Sequence, residues 1–373
     1  MNTFCSSPLQ LNSNKGGWTV TQTLRRTPIW MNPFDKCSKA GCVRGHDKDV
    51  PEMTLNSVIL LSSSCFPNFP APTHEKKKSC RSINSDFNQY RHVEGICDQL
   101  ANIVKEMHSL DVNSSSDIAV ACGQSEAFAA AIFAIIGRGD EVILFDPSYK
   151  SHEGCITMAG GVPVYVALDR PQWTLDVDKL MRSLTGRTKA IVLNSRNFLA
   201  ITDEVYEHVT FDNEKDISLA SFPGMQELTI ITSSLSKTFS VTGWRIEWAI
   251  APAFIASIIR NIHFRLTDSA PAPFQEAALA ALRSPLEYFE SLRKDYELKR
   301  DYIMKLLARI GFQIPFKPQG SFFLFVELPE NCSLSDVEYV KKLKEQAGVV
   351  AVPGCGFFHT NLSSEKSSEL SSN

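Results

Sequence analysis

The chain has 373 residues, 43% of them hydrophobic, enough for one large or two ordinary domains around a sizeable core. Thirty-eight Lys and Arg stand against 41 Asp and Glu, and a net charge of −3 excludes any general attraction to nucleic acid or an anionic membrane. The longest apolar run, Ala127 to Ile136, falls short of the ~20 residues that a bilayer-spanning helix needs. A cytoplasmic chain that engages neither nucleic acid nor membrane is expected. A plastid or mitochondrial location is the alternative, because no acid precedes Asp35, a loose match to a transit peptide.

The ten cysteines are scattered without a CxxC pair, so they read as reduced thiols, mostly buried. The eight histidines form no HxxxH or HExxH pair, and no metal site is expected. Residues 1–57 read as a disordered leader. The stretch PNFPAPTHEKKK, Pro67 to Lys78, reads as a surface loop or extended arm.

Beyond residue 100, short β-branched runs alternate with helical periodicity: DIAVAC, EAFAAAIFAII, EVILFD, VPVYVAL, LDVDKLMRSL, KAIVLN, LAITDE, LTIITS and RIEWAIA. That alternation predicts an α/β fold with a mostly parallel central sheet flanked by helices. From Ala253 the pattern turns helical and closes with strands at SFFLFVEL and GVVAVPG, a smaller α+β domain. The partition expected is an N-terminal arm and part of the small domain over 58–105, a large domain over 106–265, the rest of the small domain over 266–358, and a disordered Ser-rich tail over 359–373.

Three places could carry chemistry. Gly123, Gln124 and Ser125 form a strand-to-helix turn whose free amides suit phosphate or carboxylate. Asp203 ends a strand, with Tyr206 three residues on, which brings a carboxylate and a phenol to one sheet edge. A further strand runs into Ser233, Ser234, Leu235, Ser236 and Lys237, closed by Gly243-Trp244-Arg245. Singly, these read as an ordinary turn, a helix cap and a solvated lysine. Together they supply what pyridoxal phosphate chemistry requires: a lysine for a Schiff base, an acid for the pyridine nitrogen, and amides and a cation for the phosphate.

On FPNFPAP (66–72), NQY (88–90), CGQSEA (122–127), DPSY (146–149), DEVYEH (203–208), SSLSKTFSVTGWR (233–245) and GSFF (320–323), the chain resembles the class I/II aminotransferases of the type I pyridoxal-phosphate fold, nearest the kynurenine–oxoglutarate transaminase and cysteine-conjugate β-lyase group. The resemblance covers about residues 58–358 and implies amino transfer from an amino acid to a 2-oxo acid. It implies that Lys237 carries pyridoxal 5'-phosphate and moves the proton between the substrate Cα and the cofactor C4′. Asp203 pairs with the ring nitrogen and Tyr206 with the O3′ oxygen. Tyr149 stacks on the ring, Asn194 faces it, and Gly123, Gln124, Ser234 and Arg245 hold the phosphate. Tyr90 reaches the partner subunit's phosphate, which implies a homodimer. The alternatives are a β-lyase or a catalytically silent truncated homologue.

Four features depart from the family pattern. Ser195, Arg196 and Asn197 run directly into FLAITDE, where the family has an Asn-Pro-Thr-Gly turn and a helix. Three residues span about 10 Å, against about 20 Å to retrace a six-residue strand, so KAIVLN is expected to be displaced, leaving a gap in the sheet, low solubility and a low melting temperature. The last arginine is Arg309, so the family's substrate-carboxylate arginine has no counterpart, and turnover is expected to fall roughly 10²–10⁴-fold. Ser63 and Cys65 replace glycines near the substrate. Glu247 stands where the family has a small residue, and it is expected to pair with Arg245 and weaken the phosphate grip.

Overall fold

A computed structural model of the chain describes residues 58–62, 73–85, 87, 89–170, 173–192, 199–329 and 331–359. The β-branched runs form the strands they predict, β2 (Ile118–Ala121), β3 (Glu141–Asp146), β4 (Val162–Ala167), β5 (Thr188–Val192), β6 (Leu199–Asp203), β7 (Thr229–Ser234), β8 (Glu247–Ile250), β9 (Phe323–Glu327) and β10 (Val352–Pro353), and a further strand, β1 (Val58–Ser62), precedes them. Strands β2 to β8 make one seven-stranded sheet in the order β2-β8-β7-β6-β5-β3-β4. Its five strands β4, β3, β5, β6 and β7 run parallel, while β8 is antiparallel to both β7 and β2. Two reversals restore the direction of β2, so the carboxyl ends of β2, β3, β6 and β7 share one edge with the first residue of β8.

Strand β5 holds a place between β3 and β6, which corrects the expected displacement of KAIVLN and removes the ground for expecting a gap and a low melting temperature. β5 ends at Val192 and β6 begins at Leu199, so six residues, 193–198, join them. Six residues reach about 20 Å. The register pairs Ala190 with Leu199 and Val192 with Ile201, so the chain retreats by only two strand positions, about 7 Å. Retracing the whole strand is not required. The connection itself, with Asn194, lies outside the described residues, as do the leader 1–57, the FPNFPAP segment and the tail beyond His359.

Helices cover both faces of the sheet, which is why its strands are apolar throughout rather than alternating with polar residues. On one face α3 (Gln124–Ile135), α4 (Lys150–Met158) and α6 (Ala253–Thr267) bury Phe128, Ile132, Ile156 and Ile259 against Ala249 and Ile230. On the other, α2 (Ile96–His108) and α7 (Ala272–Ala281) bury Leu100, Val104 and Ala278 against Ile231, Trp248 and Ile250. Each large aliphatic side chain so buried contributes about 1.5–3 kcal/mol. Helix α5 (Val177–Ser183) starts at the cap Asp176, whose carboxylate accepts from the Asp178 and Lys179 amides.

A helix α1 (Thr73–Asn84) replaces part of the expected loop. The prolines end at Pro72, and THEKKKSCRSIN, with Glu75 in its first turn and Arg81 in its last, suits the helix dipole. Helix α1 lies on α7, where Lys78 pairs with Glu276 at 3.5 Å. Strands β10, β1 and β9 form a separate antiparallel sheet, joining the two ends of the described chain. Val326 of that sheet and Leu307 of α8 (Leu286–Arg309) share a small core with residues of α9 (Asp336–Ala347). Among the described residues all six cysteines are free but only Cys155 is buried, a correction to the expected burial. Cys80 and Cys355 are exposed, on α1 and on the turn after β10, elements with one face in water. No described helix is long and apolar enough to cross a membrane.

Candidate active site

Because parallel strands deliver their last residues to one edge, Asp203 (end of β6) and Ser234 (end of β7) lie beside the turn at Gly123 that follows β2. Gln124, the first residue of α3, ties two of these strands together. Its Nε2 donates to Asp203 Oδ1 at 2.9 Å and to Thr232 Oγ1 at 2.8 Å. Thr232 Oγ donates in turn to the Thr202 carbonyl at 2.8 Å, so the Asp203 carboxylate is oriented from a buried base. Its second oxygen lies 3.8 Å from His152 Nε2. His152 stacks on Phe128, with centroids 4.2 Å apart, and meets the edge of Tyr149 at 5.6 Å.

Tyr206 lies just beyond Asp203, its ring set edge-on to Phe322 at 5.2 Å and to Phe323 at 5.9 Å. Lys237 Nζ stands 5.3 Å from the centroid of that same Phe322 ring. The GSFF segment therefore joins lysine to phenol. It is anchored where Gly320 bridges Thr210 and the Phe211 amide donates to the Gln319 carbonyl at 2.8 Å. A Cβ at position 320 would come within 3.0 Å of the Val209 carbonyl, so glycine permits this approach. Burial, reinforced by the Asp203 charge, pushes the Tyr206 phenol up, so it stays protonated and acts as a donor at neutral pH.

At the other end, Gly123 has φ +105°, a conformation closed to residues with a Cβ. A Cβ there would lie 1.7 Å from Arg245 Nη2. The guanidinium thus lies directly against the α3 turn, and Arg245 Nη1 also donates to the Thr242 carbonyl at 2.9 Å. Ser234 Oγ accepts from the Ser236 amide at 3.0 Å. Glu247, wholly buried, points into the same place, with Oε1 3.6 Å from Arg245 Nη1 and accepting from Ser236 Oγ at 2.8 Å. The expected pairing of Glu247 with Arg245 is present.

The structure thus brings together Gly123, Gln124, Asp203, Tyr206, Ser234, Lys237 and Arg245 at one edge. Tyr149 is 58% exposed at its rim, and Tyr90 is 75% exposed. Sequence reasoning missed His152 and Thr232, and named Ser236 in the turn before Lys237 without giving it a role. His152 stands in the first turn of α4, three residues after the N-cap Tyr149 whose ring edge it meets, a spacing that could have marked it. Behind Asp203 and Tyr206, a cavity of about 220 Å³ is lined by Glu204, Glu207, Asp216 and Phe222 among others. Burial pushes Glu204 up to about 7 and Glu207 up to about 8.

Residues 56–197 and 189–365 match the family "Aminotransferase class I and II". The chain belongs to that family. The two matches overlap over residues 189–197. The aminotransferase is 31% identical to methionine aminotransferase of Escherichia coli over 78% of this chain and 82% of that protein. It is 29% identical to human kynurenine–oxoglutarate transaminase 3 over 88% of this chain and 85% of the relative. Among solved structures, N-succinyldiaminopimelate aminotransferase of Mycobacterium tuberculosis superposes with TM-score 0.75 at 31% identity, over 80% of this chain and 85% of that one. These relatives share amino transfer and differ in the amino acid they are named for.

Proposed function

We propose that this aminotransferase works with pyridoxal 5'-phosphate, moving an amino group from an amino acid of the kynurenine or glutamine type to a 2-oxo acid, as a homodimer. The observation that carries this reading is the Phe322 ring, shared by Lys237 and Tyr206 beside an Asp203 that Gln124 holds in a fixed orientation. The residues fit the group: a lysine, an oriented carboxylate, a neutral phenol, and a glycine turn so close to an arginine that no Cβ can enter. Gln124 Oε1, buried without a hydrogen-bond partner, is an acceptor still to be satisfied.

When bound, the cofactor supplies an aldehyde for the amino group and a pyridine ring that takes up the electron pair left at the substrate Cα. Lys237 would hold it covalently and, once released as a free amine, would move the proton between Cα and C4′. The Asp203 carboxylate would keep a proton on the ring nitrogen, with the Gln124 amide orienting that carboxylate. Tyr206 would donate a hydrogen bond to O3′. Tyr149 would stack on the ring, and Gly123, Ser234 and Arg245 would offer donors to the phosphate. Asn194 and Tyr90 complete the assignment as a ring-facing residue and a partner-facing residue. The large sheet, within 106–265, together with α2 and α7 packed on it, is the cofactor-holding domain, and the rest of 58–105 and 266–358 centres on the smaller sheet, a division supported by the pairing of β1 with β9 and β10.

The test is amino transfer followed by mass spectrometry of the 2-oxo acid formed from kynurenine, glutamine and methionine, with and without added cofactor. Product that requires the cofactor and vanishes in Lys237→Ala is expected. Product formed equally by Lys237→Ala would contradict the reading.

A further inference from the structure

Glu247 opens β8 in a register that sets it opposite Ala121 of β2 and Ser234 of β7, so its Cα lies between the two strands that flank the phosphate-binding turn. Its side chain is 0% exposed and lies on the α3 side of the sheet, as Ala249 two positions on does. Two donors that would serve a phosphate converge on this carboxylate. The Ser236 hydroxyl donates to Oε1 at 2.8 Å and the Arg245 guanidinium stands 3.6 Å from the same oxygen, while Oε2 is buried without a hydrogen-bond partner. The neighbouring Cys122 amide is taken by Glu126 Oε2 at 2.8 Å. The start of α3 and Arg245 favour an anion, and although burial pushes the Glu247 carboxyl up, the Arg245 charge and the Ser236 hydrogen bond pull it back toward the charged form.

We propose that Glu247 is the resident anion of the phosphate cup, so that Arg245 and Ser236 are neutralised from within and the site loses most of its preference for a phosphorylated cofactor over the same ring without phosphate. The inference rests on the reading that this site takes pyridoxal phosphate. A phosphate entering the cup either displaces the carboxylate from its donors or lies beside a buried like charge, and both weaken its hold. The ring end is untouched, because the polar partners of Asp203 and Gln124 lie among Thr232, His152 and each other and not at Glu247. Unphosphorylated pyridoxal is therefore bound as well as the remaining contacts allow.

The experiment measures the dissociation constants of pyridoxal 5'-phosphate and of pyridoxal, by absorbance titration, for the wild-type chain, Glu247→Gln and Glu247→Gly. Glu247→Gln keeps the shape and the Ser236 contact, and pyridoxal affinity reports on the ring end and the fold in every variant. In the wild type the two ligands are expected to bind within about tenfold of each other. Removing the charge should tighten pyridoxal phosphate by about 10²-fold, which at 1.36 kcal/mol per decade is ~2.7 kcal/mol, and leave pyridoxal within twofold. A wild type that already prefers the phosphate form by 10²-fold, or variants that bind pyridoxal as before with no gain for the phosphate form, would overturn the inference while leaving the cofactor reading intact. Failure of every protein to bind either ligand would instead overturn the cofactor reading, and this inference with it.

Discussion

The two ends of the site are built on the same sheet edge and treat a carboxylate in opposite ways. At the ring end, Asp203 is a quarter exposed, held by Gln124 and turned outward, with one oxygen left toward the site. At the cup end, Glu247 is wholly buried, with Oε1 engaged by the chain's own arginine and serine. Strand topology delivers both groups to the edge, so topology does not decide which of them is available to a ligand. Burial and the local donors decide it. A fold can therefore keep its catalytic frame while one residue alters what the frame grips.

The largest effect that could break this contrast lies at the ring end. Asp203→Asn keeps the shape but removes the charge that protonates the ring, and kcat/KM should fall at least 10²-fold, within the span of acid–base contributions, whereas cofactor affinity changes far less. Steady-state kinetics with saturating cofactor would check this, and unchanged turnover would mean that Asp203 is structural. Gln124→Ala leaves Asp203 charged but unoriented. Loss of a hydrogen bond to a charged group is worth about 1.5–3 kcal/mol, so a 10- to 100-fold fall in kcat is expected with melting temperature changed by only a few degrees. An equal loss in kcat and stability would reduce Gln124 to a packing role.

A smaller effect concerns the acids behind the ring end. Glu204 is pushed up to about 7 and Glu207 up to about 8 by burial, against about 4.5 in the unfolded chain. Between these values the folded state holds protons that the unfolded state has lost, so stability is fully present below about pH 4.5 and falls as pH rises toward 8. The slope is of order 1 kcal/mol per pH unit per group. Thermal melts at pH 5.5 and 8 should show the lower melting temperature at pH 8, and Glu207→Gln should flatten the difference. A higher melting temperature at pH 8 would place these carboxylates as charged and paired.

Much of this was legible in the sequence because the strands are buried on both faces and announce themselves as continuous β-branched runs. DIAVAC, EVILFD, LAITDE and LTIITS end on the residues that form the edge. The place of β5 was not legible, because loop arithmetic needs the register, and only the observed pairing of Ala190 with Leu199 shows how little retreat the chain makes. Helix α1 was obscured by the prolines just before it. His152 and Thr232 were missed because each acts through a partner distant in sequence, as Thr232 does through Gln124, 108 positions away. Glu247 was legible as an oddity, but that it draws Ser236 as well as Arg245 required three dimensions.

The proposed role of Lys237 as covalent anchor of a cofactor presented to Asp203 and Tyr206 is tested by borohydride reduction of the protein after incubation with pyridoxal phosphate at a concentration above its dissociation constant, followed by peptide mass analysis. A single reduced adduct is expected on the peptide containing Lys237, absent in Lys237→Ala and retained in Asp203→Asn. An adduct on another lysine, or none on Lys237, would contradict that role.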